Sequence, residues 1–160
     1  MSTSNFDITV NERLNDEYGL DTVFYLRDGF LTTTTDLPPT WFDFGSREVS
    51  SKPSTEPYVS FRQVAGTVRN AVIRGYQNVV KEENIALEFS IFRPKESSRS
   101  ASNDIEDELD RVFLNWQAAG DGFQILPDTA NPKRPLDIPA SGDDIESIKQ
   151  IQYRFFYRWS

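Results

Sequence analysis

Two residue types are missing altogether from this 160-residue chain, namely cysteine and histidine. Without cysteine the protein has no disulfides, no thiol nucleophile and no thiolate metal site, so the fold must be stable through packing alone. Without histidine it lacks the commonest general base and the commonest metal ligand. The phosphate-loop, dinucleotide-binding and GxSxG signatures are absent as well. We therefore predict a protein that is not an enzyme, has no catalytic residues and uses no cofactor or metal.

Basic residues are also scarce, since 17 Lys and Arg stand against 25 Asp and Glu, for a net charge of -8. Phosphate contacts supply most of the affinity for nucleic acids and require a basic surface, so we expect no sequence-specific nucleic-acid binding. No apolar run approaches the roughly 20 residues that span a bilayer, and residues 1–7 lack the features of a secretion signal. These patterns predict no membrane partner and synthesis in the cytoplasm.

What the chain has in plenty is aromatic residues: 12 Phe, 6 Tyr and 3 Trp. They can fill a substantial core, and the length fits one domain better than two. No internal repeat or continuing heptad is visible. We predict a single domain over residues 1–160.

The clearest structural pattern lies between residues 85 and 116. Alternation places Ile85, Leu87, Phe89 and Ile91 on one face of a strand, which should end at Pro94. Residues 93–100 are wholly polar and predict a mobile surface loop. A helix should follow with Asn103 as its N-cap. Its apolar stripe recurs at the helical period and comprises Ile105, Leu109, Val112, Phe113 and Trp116.

Weaker patterns complete the expected fold. Residues 6–18 predict a helix ending at Gly19, and the turn pair Asp28-Gly29 predicts a hairpin between residues 22–26 and 30–34. Further strands are expected at residues 58–62, 68–74, 123–126 and 151–159. The predicted fold class is α+β, an antiparallel sheet of about five strands with two helices packed on one face.

Two acidic clusters could in principle hold Mg²⁺ in a nuclease or hydrolase built from carboxylates alone: residues 104–110, and Asp143, Asp144 and Glu146. The first cluster lies where acids favour the positive end of a helix dipole, so a solvated helix face explains it better. The second is also read as a capped helical turn with an ion pair to Lys149. We therefore predict no metal site.

Candidate binding residues are basic or aromatic. The basic set is Arg93, Lys95 and Arg99 in one polar segment with Lys133 and Arg134 in another. If both segments project from one end of the sheet, they would dock an acidic partner, for example the acidic helix of a neighbouring subunit. The alternative is an ordinary solvated surface. We expect Trp41 and Phe42 to pack at the edge of the core. Alternatively, they are exposed and anchor a partner, or they line a small-ligand pocket.

The order of these elements resembles that of the tail terminator (tail completion) proteins of tailed bacteriophages. The most similar stretch runs from Gly75-Tyr76 to Phe113 and includes the spacing Ile105-x-x-x-Leu109-x-x-x-Phe113. The closing segment Tyr153-Arg154-Phe155-Phe156-Tyr157 also looks like the last strand of that family. The resemblance covers most of the chain in pattern and contains no invariant chemical motif.

The resemblance implies a structural virion protein that forms a ring, usually of six subunits. Such a ring caps the tail tube, ends its polymerisation and joins the tail to the head-side neck, with DNA passing through its lumen. The implied partners are further copies of the chain, the tail tube protein and a neck or connector protein, and the implied location is the virion tail or neck after synthesis in the host cytoplasm. On this reading Arg93, Lys95 and Arg99 contact the tube or a neighbouring subunit. Another neck, connector or baseplate subunit is the alternative of the same class.

Overall fold

The computed structural model describes residues 2–22, 24–26, 41–43, 55–72, 79–138 and 145–159. These residues form two helices and eight strands, so the predicted α+β class is confirmed. In chain order the elements are α1 (Ser2–Glu17), β1 (Phe24–Leu26), β2 (Trp41–Asp43), β3 (Tyr58–Val72), β4 (Val79–Pro94), α2 (Arg99–Phe113), β5 (Ala118–Gly120), β6 (Phe123–Pro127), β7 (Lys133–Ile138) and β8 (Ile145–Trp159).

The strands make one sheet in the order β2-β1-β3-β4-β8-β6-β5, and β7 also pairs with β8. The prediction of about five antiparallel strands was wrong in number, and the pairs β1:β2 and β1:β3 are parallel. Strands of three residues such as β1, β2 and β5 are too short to display a period of two. β7 contains Pro135 and reads as a loop, but an edge strand tolerates a proline on its unpaired side.

Three long strands, β3, β4 and β8, form the centre of the sheet with 15, 16 and 15 residues. The two strands expected at residues 58–62 and 68–74 are a single strand, β3, whose register against β4 shifts between Ala65 and Val68. At this irregularity a Cβ on Gly66 would overlap the backbone oxygen of Asn84. Glycine is thus required where the two backbones approach each other.

Both helices cover the same face of the sheet, as predicted. Phe89 of β4 stacks on Phe61 of β3 with ring centroids 4.4 Å apart and on Phe113 of α2 at 5.5 Å. Phe6 of α1 lies 5.5 Å from Tyr157, which the alternation of β8 places on that same face. The buried core also includes Val10, Leu14, Phe24, Val59, Ile85, Leu87, Ile91, Ile105, Leu109, Val112, Trp116, Ile125, Ile151, Tyr153 and Phe155.

The start of α2 differs from the prediction. Ser98, not Asn103, is the N-cap, and its Oγ accepts a hydrogen bond from the Ala101 N–H at 3.2 Å. Before it, both the N–H and the Oγ of Ser97 donate to the Pro94 carbonyl, at 3.0 and 2.7 Å. These local bonds turn the chain from β4 directly into the helix. The polar segment is therefore a short turn followed by the first helical residues.

Some of the other predicted elements are confirmed, and others fall on residues that the structure does not describe. The N-terminal helix, the strand at residues 123–126 and the C-terminal aromatic strand are confirmed. The first half of the expected hairpin corresponds to β1, whereas its turn at Asp28-Gly29 and its second half lie outside the described residues. Asp143 and Asp144 of the second acidic cluster lie outside them too.

We predict that Phe89→Ala lowers the free energy of unfolding by about 3–5 kcal/mol, because it leaves a cavity between two sheet strands and α2. Urea unfolding monitored by circular dichroism measures this loss. Phe92→Ala is the matched control, since Phe92 is only half-buried and lies on the other face against Tyr58. Equal losses in the two variants would contradict the packing described here.

We predict that Gly66→Ala destabilises the protein by about 1–3 kcal/mol, because the added methyl group has to displace backbone rather than a flexible side chain. Thermal unfolding measures the effect, and Thr67→Ala at the neighbouring exposed position serves as control. A melting temperature unchanged by Gly66→Ala would show that the two strands do not approach as closely as described.

Candidate interaction surfaces

The face of the sheet opposite the helices carries most of the arginines of the long strands. We call it the arginine face and define its charged members by the register of β3, β4, β7 and β8. Its cations are Arg62, Arg69, Arg134, Arg154 and Arg158. Its anions are Glu82 and Glu88, counted over residues 58–72, 79–92, 133–138 and 148–159. A local excess of positive charge thus exists on a protein whose net charge is -8.

Glu82 is the centre of an ion-pair triad across three strands. Register places it opposite Arg69 of β3 and Arg158 of β8. Its carboxylate, only 2% exposed, accepts from Arg69 Nε at 2.8 Å and from Arg158 Nε at 2.6 Å. Burial alone would raise the pKa of Glu82, but the hydrogen bonds and positive charges of the two arginines outweigh burial and hold the pKa below its ordinary value.

A second pair repeats this arrangement further along the same strands. Arg62 lies opposite Glu88, and its Nε donates to the Glu88 carboxylate. Glu88 is buried whereas Arg62 is partly exposed. Both anions of the arginine face are consequently neutralised by cations of the same face.

A groove of about 540 Å³ opens on the arginine face beside the triad. Its lining consists of Val64, Gly66, Thr67, Arg69, Glu82, Asn84, Ala86, Gln152, Arg154 and Phe156. The Nε of Arg154 is buried there and has no hydrogen-bond partner. No described residue forms an ion pair with this guanidinium, whose opposite neighbour on β4 is the small residue Ala86.

The five predicted basic residues do not lie together at one end of the sheet. Arg93 donates through Nε to Ser147 Oγ at 3.1 Å at the end of β4. Lys95 and Arg99 are exposed at the turn into α2, and no described residue pairs with them. Lys133 and Arg134 are on β7, opposite Tyr153 and Gln152, well away from that turn.

Lys133 serves to attach α2 to the sheet. Its Nζ lies 2.9 Å from Asp110 Oδ2 and 3.8 Å from Glu106 Oε1. Tyr153 donates its hydroxyl hydrogen to Asp110 Oδ1 at 2.7 Å, and Lys149 Nζ lies 2.8 Å from Glu106 Oε2. Burial and the hydrogen bond to Asp110 raise the pKa of Tyr153 far above its ordinary value, so the hydroxyl stays protonated. The inner acids of α2 thus bind cations of their own chain.

The outer acids of α2 have a different environment. Glu108 accepts from Arg111 Nε at 2.5 Å and from the Gly19 N–H at 2.8 Å, which ties α2 to the end of α1. Asp104 and Asp107 are exposed. Among the described residues no group of three acids converges in a way that could hold a metal ion, and Glu146 of the second acidic cluster is exposed on β8.

In the described part of the chain the sheet has free edges on both sides. β1 pairs with β3 only at residues 59–61, so in the described part of the chain β3 has no neighbour on that side from residue 62 to residue 72. On the opposite side β7 pairs with β8 alone. Each of these two edges exposes one large apolar side chain, Val68 on β3 and Leu136 on β7, both 51% exposed. β2, with Trp41 and Phe42, and β5, which pairs with β6 alone, are further edge strands. The side chains of Trp41 and Phe42 lie outside the described part.

Sequence reasoning missed the groove and the ion pairs that flank it. The polar positions of β8, among them Arg154 and Arg158, were visible as one side of an alternating strand. Which residues of β3 and β4 lie opposite them depends on register and on the bulge in β3, neither of which is readable from the chain alone.

No model of a known protein family matches the chain, and a comparison with curated proteins finds no significant match. None of the helices within the described residues has the length and apolarity needed to cross a membrane.

We predict that Glu82→Gln costs about 1–3 kcal/mol of stability at pH 7, because the amide keeps only one acceptor oxygen for two arginines and no longer neutralises their positive charges. The lowered pKa of Glu82 means that its stabilisation is present above the ordinary glutamate pKa of about 4.3 and disappears as the pH falls through the lower folded-state value. Denaturant titrations at pH 7 and in acid should show the cost of the substitution shrinking at low pH.

The matched control for Glu82→Gln is Glu96→Gln, which changes an exposed glutamate in the turn before α2. It should alter stability little at either pH. A cost for Glu82→Gln that is independent of pH, or equal to that of the control, would contradict the triad as the source of the stabilisation.

Proposed function

We propose that this protein is a structural subunit of a tailed bacteriophage, a tail terminator that assembles with further copies of itself into a ring, caps the tail tube and joins the tail to the neck. The observation that carries the proposal is that the edges of β3 and β7, on opposite sides of the sheet, are both free in the described part of the chain. Another neck, connector or baseplate subunit that assembles in the same way is the alternative.

Free sheet edges favour association with another chain. An unpaired strand presents a row of N–H and C=O groups that another strand can bind by extending the sheet. Residues 66–70 of β3 are all exposed, so this edge is accessible over the part of the molecule beyond β1. Val68 adds an apolar contact that water disfavours.

The position of the second free edge favours a head-to-tail assembly. Because β3 and β7 lie on opposite sides of β4 and β8, a contact between them is head-to-tail and uses a different surface on each partner. Contacts of this kind close into rings when the rotation between subunits permits and otherwise extend into filaments. The resemblance to tail terminators favours a closed ring of six.

Exposed charges remain for contacts with the tube or the neck. Lys95 and Arg99 lie together at the turn before α2, whereas Asp104 and Asp107 lie on the outer side of the helix. Lys133 forms ion pairs with Glu106 and Asp110 of its own chain. We expected Lys133 to contact the acidic helix of a neighbouring subunit, but it contacts the acidic helix of its own subunit. Contacts through the remaining exposed charges should weaken as salt increases.

The acid-only nuclease or hydrolase has less support. It requires the acids of residues 104–110 to converge on one ion, but Glu106, Glu108 and Asp110 each contact a cation of their own chain. These three acids attach α2 to neighbouring parts of the same chain.

We predict that Val68→Lys and Leu136→Lys each prevent ring formation, because each places a charge on one of the two edges that meet. An equimolar mixture of the two variants should form heterodimers, since each variant retains the edge that the other has lost. Native mass spectrometry distinguishes monomers, heterodimers and rings directly.

The control is Leu20→Lys, which adds the same charge at an exposed apolar position away from both edges. It should assemble like the unaltered protein. If Leu136→Lys assembles normally while Val68→Lys does not, the interface joins two β3 edges and the head-to-tail contact is wrong.

The role in tail assembly has its own test. In a phage that encodes this chain, disruption of its gene should give tails of variable, excessive length that lack heads, since nothing ends tube polymerisation. Electron microscopy of lysates measures tail length and head attachment. Tails of normal length joined to heads would contradict the proposed function even if the isolated protein forms rings.

A further inference from the structure

We propose that the groove on the arginine face is a binding site for a carboxylate side chain in an extended segment of a partner protein, and that Arg154 is the residue that binds it. The site is complete within one subunit. The inference therefore does not depend on ring formation or on the proposed role in tails.

Charge distribution identifies Arg154 as the cation available to a ligand of the groove. Arg69 and Arg158 bind Glu82, and Arg62 binds Glu88. Arg69 also lines the groove, but its Nε donates to the Glu82 carboxylate. Arg154 has no ion pair with any described residue, so an incoming anion would not have to displace an internal carboxylate.

The buried nitrogen of Arg154 supplies the second argument. A guanidinium has five N–H donors and no acceptor, and a buried donor without a partner costs about 1–3 kcal/mol. The Nε of Arg154 is buried and lacks a partner. A carboxylate can accept from Nε and an adjacent Nη together, which is the bidentate geometry that guanidinium favours. In this arrangement Nε has almost no solvent exposure, so a carboxylate reaches it only when the side chain turns toward the groove; the contact then satisfies a donor that the isolated fold leaves unpaired.

The backbone around Arg154 is fixed in a way that prepares the site. Its N–H donates to the Pro132 carbonyl at 3.2 Å, and its carbonyl accepts from the Asp128 N–H at 3.0 Å. Asp128 is buried, and its Oδ1 accepts from the N–H groups of Ala130 and Asn131 at 3.2 and 3.1 Å. The turn between β6 and β7 is therefore held against β8 at this position. A backbone that is fixed before binding loses less conformational entropy when the ligand arrives.

The remaining lining favours a peptide over a nucleic acid. Val64, Ala86 and Phe156 provide apolar contacts, whereas Asn84 and Gln152 can donate to and accept from a peptide backbone. A volume of about 540 Å³ accommodates a few residues. Binding to a phosphate backbone depends on several free cations in a row, whereas the groove offers one arginine without an internal partner. An acidic residue flanked by apolar residues matches the lining best.

The test is an NMR titration of the full chain with two capped pentapeptides. Both have leucines on either side of the central residue, which is glutamate in one peptide and glutamine in the other. The Nε–Hε signal of Arg154, assigned by its loss in Arg154→Lys, should shift with the glutamate peptide. The affinity for this peptide should exceed that for the glutamine peptide about tenfold or more, as expected for a charge-assisted hydrogen bond.

Two variants with one matched control complete the design. Arg154→Met should abolish the preference for glutamate, and Arg154→Lys should retain only part of it because lysine cannot form the fork. Arg111→Met removes an exposed arginine of α2, on the other side of the sheet, and should leave the preference intact. Thermal unfolding of each variant verifies that it is folded.

Four results would overturn the inference. The first is equal affinity for the two peptides, and the second is a preference that survives in Arg154→Met. The third is the absence of any shift of the Arg154 signal at millimolar glutamate peptide. A shift produced as strongly by a short single-stranded DNA as by the glutamate peptide would also refute it in favour of a general anion site.

Discussion

Burial of one aromatic face of three long strands is the constraint on which the rest of the molecule depends. Phe61, Phe89 and Tyr153 come from β3, β4 and β8 and lie together under α2 with almost no exposure. With no disulfide available, this contact between sheet and helix has to supply most of the stability. Because side chains alternate along a strand, placing the aromatic set inward places the arginine face outward.

The same register that aligns the aromatic residues also aligns the charges. Glu82 lies between Arg69 and Arg158 because the pairing that buries Phe89 on one face brings those three residues into line on the other. On the covered side, Lys133 and Tyr153 contact Asp110 and so fix α2 along the sheet. Five of the seven charges of the arginine face are thereby committed to internal pairs. Arg154, the sheet edges and the exposed charges around the start of α2 remain for contacts with other molecules.

Long periodic segments were predictable from the sequence. The alternation from Ile85 to Ile91 and that of the C-terminal strand predicted the central sheet, and the stripe from Ile105 to Phe113 predicted the face of α2, because burial of an amphipathic face leaves a regular signal. The short strands β1, β2 and β5 leave too few residues for such a signal. The start of α2 was misplaced because Ser98 and Asn103 are both good caps, and only the turn at Pro94 decides between them. The basic candidates were identified by residue type, but their grouping required tertiary positions: Lys133 faces α2, and the groove depends on strand register.

We propose that copies of the chain assemble through opposite sheet edges into a closed ring. Analytical ultracentrifugation of the unaltered protein over a wide range of concentration tests this assembly by measuring its mass. A closed ring predicts one discrete oligomer in equilibrium with monomer, and no larger species at high concentration. The family resemblance implies about six subunits in this oligomer. A protein that remains monomeric at every concentration, or whose mass grows without limit, would contradict the closed ring.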